Sequence, residues 1–308
     1  MLIYSHPDCL LKDNGINHPE RQERLITILE SIKEIKSLNI NFKKAPIADL
    51  KVVSLVHPKK YIEKIFSNIP KNGLVGVEKE PYADTMLCHN SKKAILRSCG
   101  AGIAAADDLM DENKRIFCAI RPPGHHAETA KAMGFCFINN IAVTAKYLQK
   151  KHNIKKVAIV DFDVHHGNGT QEIFFNDKTV AYASSHEFPL FPGTGSEQEI
   201  GVGNIFNAPL KSGLKGKEFL NIFDKKILRP IDRFKPEIIL ISAGFDAHLR
   251  DPLANINLES EDFYQITKQI VDLANIHSKG RVISFLEGGY DLLALSESIK
   301  QHLLALEI

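Results

Sequence analysis

Short, uninterrupted apolar runs alternate with helix-periodic segments along this 308-residue chain, and this alternation constrains the fold most strongly. Strands that are apolar at every position are typical of parallel sheets with both faces covered. The runs predict strands at residues 2–4, 116–120, 157–162, 180–184, 238–242 and 282–286. We therefore predict an α/β fold, a single domain over residues 1–308 with a mostly parallel central sheet and helices on both faces.

Three apolar stripes with three- and four-residue spacing predict helices that pack on this sheet. The stripes are Leu25, Ile28, Leu29, Ile32 and Ile35, then Phe219, Ile222, Phe223 and Ile227, and finally Phe263, Ile266, Ile270 and Leu273. Pro230 should end the second helix, because its ring clashes with a continuing helix. Ser260 should be the N-cap of the third.

The composition argues against several classes of protein. Hydrophobic residues make up 44% of the chain and charged residues 25%, with a net charge of +2 and scattered charges. We therefore expect no direct nucleic-acid partner. The start is not leader-like and no apolar run approaches about 18 residues, so we expect no membrane partner. An odd number of widely spaced cysteines favours a reducing cytoplasm over a disulfide framework: Cys9, Cys88, Cys99, Cys118 and Cys136.

Polar residues cluster just after four of the predicted strands. The clusters hold His125 and His126, then Asp161, Asp163 and His165, then Asp246, and finally Glu287 and Tyr290. Because the carboxyl ends of parallel strands face one crevice, we expect these side chains to converge. Ionised aspartate and neutral histidine are both zinc ligands. The sequence therefore predicts a metal site beside a histidine pair.

In its motifs the chain resembles the zinc-dependent histone deacetylase superfamily, which includes acetylpolyamine amidohydrolases and acetoin-utilisation proteins. The likeness rests on RPPGHHA from Arg121, GFCFINN from Gly134, DFDVHHGNGTQ from Asp161, FPGTG from Phe191, SAGFDAHLRDPL from Ser242 and EGGY from Glu287. Such a series in this order is far more specific than any one fragment. Asn168 and Glu287 are similar to the class II branch and its bacterial relatives. The resemblance implies a three-layer arginase/deacetylase-like fold with about eight strands.

By this resemblance, Asp163, His165 and Asp246 would be the ligands of one catalytic zinc ion with open coordination positions. Bound zinc would polarise an amide carbonyl and lower the pKa of a water. Iron is an alternative metal for the same ligands. A structural zinc usually has four protein ligands. A binuclear arginase-like hydrolase would need more aspartates than this set provides.

The resemblance also assigns acid–base groups. His126 would be the general base and His125 its proton-transfer partner. Asp161 would bond His125 and Asn168 would bond His126, so the first imidazole should favour its cation more than the second. Tyr290 would bind the substrate carbonyl and the developing oxyanion. A histidine pair, or a tyrosine after a strand, can also be structural, but the motif context favours catalysis.

A tunnel for an acylated amine is a further implication of the resemblance. Phe135 and Phe191 would flank an extended lysine side chain, with the Gly134 carbonyl near the substrate amide. Leu253 would lie at the rim, where a glutamate marks one polyamine-selective branch. Asp84 is either a substrate contact or a turn residue. Loops at residues 70–92 and 186–206 should shape the mouth.

The family also carries monovalent cations, so the resemblance implies two potassium sites. Side-chain and backbone oxygens would form the first site at Asp161, Asp163, His165, Ser184 and Ser185, and the second at Phe174, Asp177 and Val180. Backbone carbonyl ligands leave no residue signature, so the residues alone do not reveal these sites.

These observations predict a zinc-dependent amidohydrolase that removes an acyl group from an amide such as acetyl-lysine in a protein or an acetylated small amine. The alternative is a catalytically silent acyl-ligand sensor or scaffold with the same pocket. The presence of His125, His126 and Tyr290 argues against that alternative. Acyl length, protein or small-molecule substrate, zinc or iron, pathway and oligomeric state stay open.

Overall fold

In the computed structural model of the chain, which describes residues 1–77, 83–111 and 115–308, an eight-stranded parallel sheet lies between layers of helices. Its strands are β1 (Leu2–Ser5), β2 (Asn41–Lys44), β5 (Arg115–Cys118), β6 (Val157–Asp161), β7 (Val180–Glu187), β8 (Ile205–Leu210), β9 (Ile238–Ala243) and β10 (Val282–Leu286). They lie in the order β2-β1-β5-β10-β9-β6-β7-β8. A separate antiparallel hairpin pairs β3 (Leu74–Gly76) with β4 (Met86–Cys88).

The helices are α1 (Gln22–Glu34), α2 (Leu50–Val53), α3 (Lys59–Ser67), α4 (Ser91–Asp111), α5 (Asn140–His152), α6 (Asn168–Phe174), α7 (Gly216–Phe223), α8 (Arg229–Phe234), α9 (Ser260–His277) and α10 (Leu292–Leu306). In the part of the chain that the structure describes, no helix is both long enough and apolar enough to cross a membrane.

Alternate residues of each central strand belong to two different apolar clusters. In β6, Ala158 and Val160 join the cluster that contains residues of α1, α9 and α10. Val157 and Ile159 join the cluster that contains residues of α4 and α5. Successive strand side chains point to opposite faces, so both faces of the sheet are covered. The predicted α/β fold with helices on both faces is confirmed.

All six predicted strands are present, and β10 has the predicted bounds. The prediction missed β2 and β8, which form the two edges of the sheet. All four residues of β2 are exposed, and β8 includes Asn207 and Pro209, so neither gives an uninterrupted apolar run. Edge strands do not need the continuous apolarity of strands that are buried on both faces.

Two predicted helix boundaries are wrong. The helix does not end at Pro230, because a π-helical segment (Asp224–Leu228) follows α7 and leads directly into α8. Pro230 lies in the first turn of α8, where its missing N–H is tolerated. Ser260 is the first residue of α9 and not its N-cap: Glu259 is the N-cap and forms a reciprocal capping box with Asp262.

The strand order explains how the polar clusters meet. The four strands β5, β10, β9 and β6 are consecutive neighbours and all run parallel. Their carboxyl ends therefore lie side by side at one edge of the sheet. The segments that leave these ends carry all four polar clusters.

Candidate active site

Two carboxylates and one imidazole converge at this edge of the sheet. Ligand atoms of Asp163, His165 and Asp246 lie within 4.8 Å of one another, and all three residues are buried. His165 Nδ1 is 3.2 Å from Asp163 Oδ1 and 3.0 Å from Asp246 Oδ2. The Gly288 and Val164 N–H groups donate to the remaining oxygens of Asp163 and Asp246, at 2.8 and 2.9 Å. An Asp₂His set of this kind fits a zinc ion with open coordination positions.

The electrostatics of these three residues also favour a cation. Burial opposes the His165 cation, but its bonds to Asp163 and Asp246 outweigh burial and raise the pKa of His165 to about 10. Burial raises the pKa of Asp246, and the Asp163 carboxylate raises it further. A proton on His165 therefore sits where two buried carboxylates need positive charge. A divalent metal ion would take the place of that proton.

Two adjacent imidazoles lie beside the three candidate ligands. The rings of His125 and His126 are 4.0 Å apart between centroids. His125 Nδ1 lies 3.1 Å from Asp161 Oδ2, and His126 Nδ1 lies 2.9 Å from Asn168 Oδ1. The Asn168 amide nitrogen donates to Glu128 Oε1 at 2.8 Å, which leaves its oxygen facing His126. His126 must therefore carry its hydrogen on Nδ1, and Nε2 keeps a free lone pair.

The two imidazoles are shifted in opposite directions. Burial disfavours the His125 cation, but the Asp163 and Asp161 carboxylates outweigh burial and raise the pKa of His125 to about 10. Burial, together with the cations of His125 and His165, lowers the pKa of His126 well below its usual value. The two shifts have the opposite signs that an acid and a base would need.

Glu287 ties the histidine pair to the sheet. Its Oε2 accepts hydrogen bonds from the backbone N–H groups of Gly124 and His125, at 2.7 and 3.2 Å. Its Oε1 accepts one from Ser242 Oγ at 3.2 Å. The sequence singled out Glu287 only as part of a motif and did not predict these bonds. The same is true of Glu128, which fixes the orientation of the Asn168 amide.

Tyr290 is held from several sides. The Arg24 guanidinium lies 4.8 Å from the centre of its ring, and the Phe135 ring meets it edge-on at 6.2 Å. Gly289 precedes it with a φ of 115°, a conformation that glycine adopts without strain. Burial raises the pKa of Tyr290 well above its usual value. The hydroxyl therefore stays protonated and can donate a hydrogen bond.

A cavity of about 300 Å³ leads to these groups. The expected tunnel residues Gly134, Phe135 and Phe191 line it, as do the expected rim residues Leu253 and Asp84 and, in addition, Leu190. The Phe191 ring meets that of His126 edge-on at 5.2 Å. The apolar walls suit an alkyl chain, and the polar groups lie at the inner end.

Asp84 lies beside the cavity and is also bonded to its neighbours, so both roles that the sequence left open stay predictions. It lines the cavity, but its carboxylate also accepts a hydrogen bond from Thr85 Oγ1 at 2.7 Å. Its carbonyl oxygen lies 3.0 Å from His18 Nε2. Of the loop expected at residues 70–92, positions 78–82 lie outside the described residues. The loop at residues 186–206 contributes Leu190 and Phe191 to the cavity.

The two expected potassium sites differ in the structure. At the first, Ser185 Oγ is buried and has no hydrogen-bond partner among the described residues, whereas Ser184 Oγ lies 2.9 Å from His186 Nδ1. At the second, the carbonyl oxygens of Phe174, Asp177 and Val180 all accept hydrogen bonds from the side-chain nitrogen of one residue, Asn204. The Asn204 amide nitrogen therefore lies among the three carbonyl oxygens that were expected to bind the second ion.

The chain is similar to known proteins over most of its length. The family model of the histone deacetylase domain matches residues 18–306. The chain is 36% identical to histone deacetylase 10, chloroplastic, of Oryza sativa subsp. japonica, over 95% of this chain and 73% of that protein. It is 35% identical to a probable deacetylase of Archaeoglobus fulgidus, over 94% of this chain and 81% of that protein.

The crystal structure of the HDA15 HD domain superposes on all of this chain and on 91% of that domain, with a TM-score of 0.92 and 31% identity. Members of the matched family are generally zinc-dependent, and the domain has the arginase/deacetylase fold. The chain belongs to the histone deacetylase family and is a hydrolase of the deacetylase type.

Proposed function

We propose that the chain is a zinc-dependent deacylase that hydrolyses N-acyl amides of primary amines, such as acetyl-lysine in proteins or acetylated small amines. One observation carries the proposal: a cavity with aromatic walls leads to the candidate metal ligand His165, the histidine pair and Tyr290. An alkylamine chain fits between the walls of Phe135 and Phe191, and it would present its amide to the polar inner end.

Asp163, His165 and Asp246 would hold the metal, and bound zinc would supply a Lewis acid for the carbonyl and acidify the attacking water. Neutral His126 would accept the proton of that water at Nε2, since its Nδ1 hydrogen faces Asn168. Cationic His125 would provide a proton for the departing amine. The Tyr290 hydroxyl would donate a hydrogen bond to the oxyanion.

The test of this assignment is a His125→Asn/His126→Asn double variant. We expect it to bind one zinc ion per chain and to lose hydrolysis of an acetyl-lysine peptide. A matched control, His277→Asn, changes a histidine whose Nε2 pairs with Asp232 on the surface and should keep full activity. A double variant that hydrolyses the peptide at the wild-type rate would refute the assignment of acid and base.

The substrate class follows from a comparison of kcat/KM on an acetyl-lysine peptide and on an acetylated polyamine. We expect Leu253→Glu to shift the ratio towards the polyamine, because a carboxylate at the rim attracts the extra ammonium groups of that substrate. An unchanged ratio of the two kcat/KM values would mean that Leu253 does not contact the substrate at the rim. Longer acyl chains and iron in place of zinc are tested in the same assay.

We also propose one potassium ion beside Asp161, Asp163, His165, Ser184 and Ser185. The buried, unpartnered Ser185 Oγ supports this site. Diffraction from crystals soaked in thallium should show an anomalous peak there, and a blank map would reject it. A single domain over residues 1–308 and a cytoplasmic location complete the proposal. The five buried, unpaired cysteines fit a reducing compartment, and cell fractionation tests the location.

A further inference from the structure

Asp251 joins the rim of the cavity to the backbone of Tyr290. Its Oδ2 accepts a hydrogen bond from the Tyr290 N–H at 2.7 Å and a longer one from the Asp291 N–H at 3.4 Å. Its Oδ1 accepts a hydrogen bond from the Leu253 N–H at 3.0 Å. Asp251 is only 7% exposed, so these bonds face little competition from water. One buried carboxylate therefore fixes a wall residue of the cavity and the candidate oxyanion donor together.

Arg24 Nε donates a hydrogen bond to the Gly289 carbonyl at 2.5 Å and so also restrains the backbone next to Tyr290. Gly289 precedes it in a conformation with positive φ, and Asp291, the N-cap of α10, follows it. The position of the hydroxyl at the end of a long ring depends on the angle at which the backbone presents that ring. A misplacement of about 1 Å can reduce a rate by about 10²-fold. Removing the Asp251 acceptor should therefore displace the Tyr290 hydroxyl.

We propose that Asp251 is a positioning residue that acts through Tyr290, an inference that rests on the deacylase function proposed above. Glu187 provides the matched control. It anchors the same rim loop, since its carboxylate accepts hydrogen bonds from the backbone and side-chain nitrogens of Asn255 at 2.7 and 3.1 Å. Of the two carboxylates, only that of Asp251 also accepts a hydrogen bond from the Tyr290 N–H. Variants of the two residues therefore separate an effect on the rim loop from an effect on the Tyr290 hydroxyl.

The experiment measures kcat and KM of the zinc-loaded enzyme for Asp251→Asn, Asp251→Glu and Glu187→Gln, each in the wild-type and Tyr290→Phe backgrounds. We expect Asp251→Asn to lower kcat by about 10-fold to 100-fold with little change in KM. The loss should disappear in the Tyr290→Phe background, where there is no hydroxyl to misplace. Asp251→Glu should lose kcat similarly, and Glu187→Gln should affect KM more than kcat.

The outcomes separate this proposal from the proposed function. An equal loss of kcat in both backgrounds, or a loss matched by Glu187→Gln, would overturn the role of Asp251. A Tyr290→Phe enzyme as active as the wild type would instead overturn the role of Tyr290. If Asp251→Asn does not fold, Asp251→Glu keeps the charge and gives the same readout.

The carbonyl oxygens of Phe174, Asp177 and Val180 surround one buried amide nitrogen. They lie 2.8, 3.1 and 2.8 Å from Asn204 Nδ2, and Asn204 is only 3% exposed. Its Oδ1 accepts a hydrogen bond from the Val202 N–H at 3.1 Å, which fixes the amide with its nitrogen towards the carbonyls. The amide hydrogens thus present positive charge to all three oxygens.

We infer that the Asn204 amide replaces a monovalent cation at these carbonyls. Crystals of the wild type soaked in thallium should show no anomalous peak there, whereas Asn204→Ala should gain one. The thermal unfolding temperature of Asn204→Ala should also fall and be restored by potassium but not by N-methylglucamine. A thallium ion among the three carbonyls of the wild type, with the Asn204 side chain turned away, would overturn the inference even if the variant does not fold.

Discussion

Two histidines that face carboxylates at the edge of the sheet and one histidine in the packed core have pKa values shifted in opposite directions. At the carboxyl edge of the sheet, carboxylates overcome the effect of burial and raise the pKa values of His125 and His165 to about 10. In the packed core, His302 lies between Thr267 Oγ1 at 2.6 Å and Ser284 Oγ at 2.8 Å. Burial lowers the pKa of His302 to about 3. Burial is similar in both regions, so the charge of the partners decides the direction.

The histidines of the two regions also contribute to folding stability over different ranges of pH. In the metal-free protein, His125 and His165 have pKa values above the unfolded value of about 6.5. Their contribution to stability is full below that pH and is lost as pH rises towards 10. His302 has a pKa below the unfolded value, so its contribution is full above pH 6.5 and is lost as pH falls. The carboxylates around His125 and His165 favour a positive charge at the edge of the sheet, whereas the buried surroundings of His302 disfavour one in the core.

The largest effect should come from a carboxylate at the edge. We expect Asp246→Asn to lose zinc and to lower kcat/KM by about 10³- to 10⁴-fold, because a bound metal contributes several kcal/mol of transition-state stabilisation. The core control His302→Gln should keep its zinc and stay within a few-fold of the wild type. Metal analysis and steady-state kinetics check both. Full activity in Asp246→Asn would mean that the edge of the sheet does not bind a catalytic metal ion through this carboxylate.

A smaller effect is expected from the oxyanion donor. Tyr290→Phe should retain zinc and KM but lower kcat by about 10²- to 10³-fold, the usual cost of removing one such donor. The ring of Phe keeps the contacts with Arg24 and Phe135. We therefore expect Tyr290→Phe to contain as much zinc as the wild type but to have a much lower kcat. A fall in zinc content would mean that the tyrosine supports the metal site instead.

The core histidine should show itself in the pH dependence of stability. Between about pH 4 and 6 the unfolded chain binds a proton at position 302 that the folded chain does not, so unfolding free energy falls as pH falls. One proton corresponds to about 1.4 kcal/mol per pH unit. The unfolding free energy of His302→Gln, measured with urea at each pH, should therefore change with pH less steeply than that of the wild type, by the amount that one proton contributes. Parallel slopes would show that His302 is protonated in the folded state.

The smallest effect is expected at the rim. We expect Asp84→Asn to raise KM for an acetyl-lysine peptide by about five-fold at most, because a single contact near solvent contributes about 1 kcal/mol or less. The change should leave kcat nearly constant, since Asp84 lies at the wall of the cavity and not at the histidine pair. A large loss of kcat would mean that Asp84 acts at the reacting groups and not at the rim.

The central sheet was predictable because its strands are buried on both faces and leave apolar runs in the sequence. The exposed β2 and the Asn- and Pro-containing β8 leave no such run, and they were missed. The convergence of four polar clusters was predictable because parallel strands share an edge. The bonds of Glu128, Asp251 and Asn204 were not, since each depends on backbone or amide groups brought together from distant positions.

The most direct test is acetate release from an acetyl-lysine peptide and an acetylated polyamine by the zinc-loaded wild type and by Tyr290→Phe. We expect turnover of at least one substrate that depends on zinc and falls by at least about 10²-fold without the Tyr290 hydroxyl. Stoichiometric zinc binding with no Tyr290-dependent turnover of these or longer acyl amides would contradict this expectation. The pocket would then be that of a silent acyl-ligand sensor.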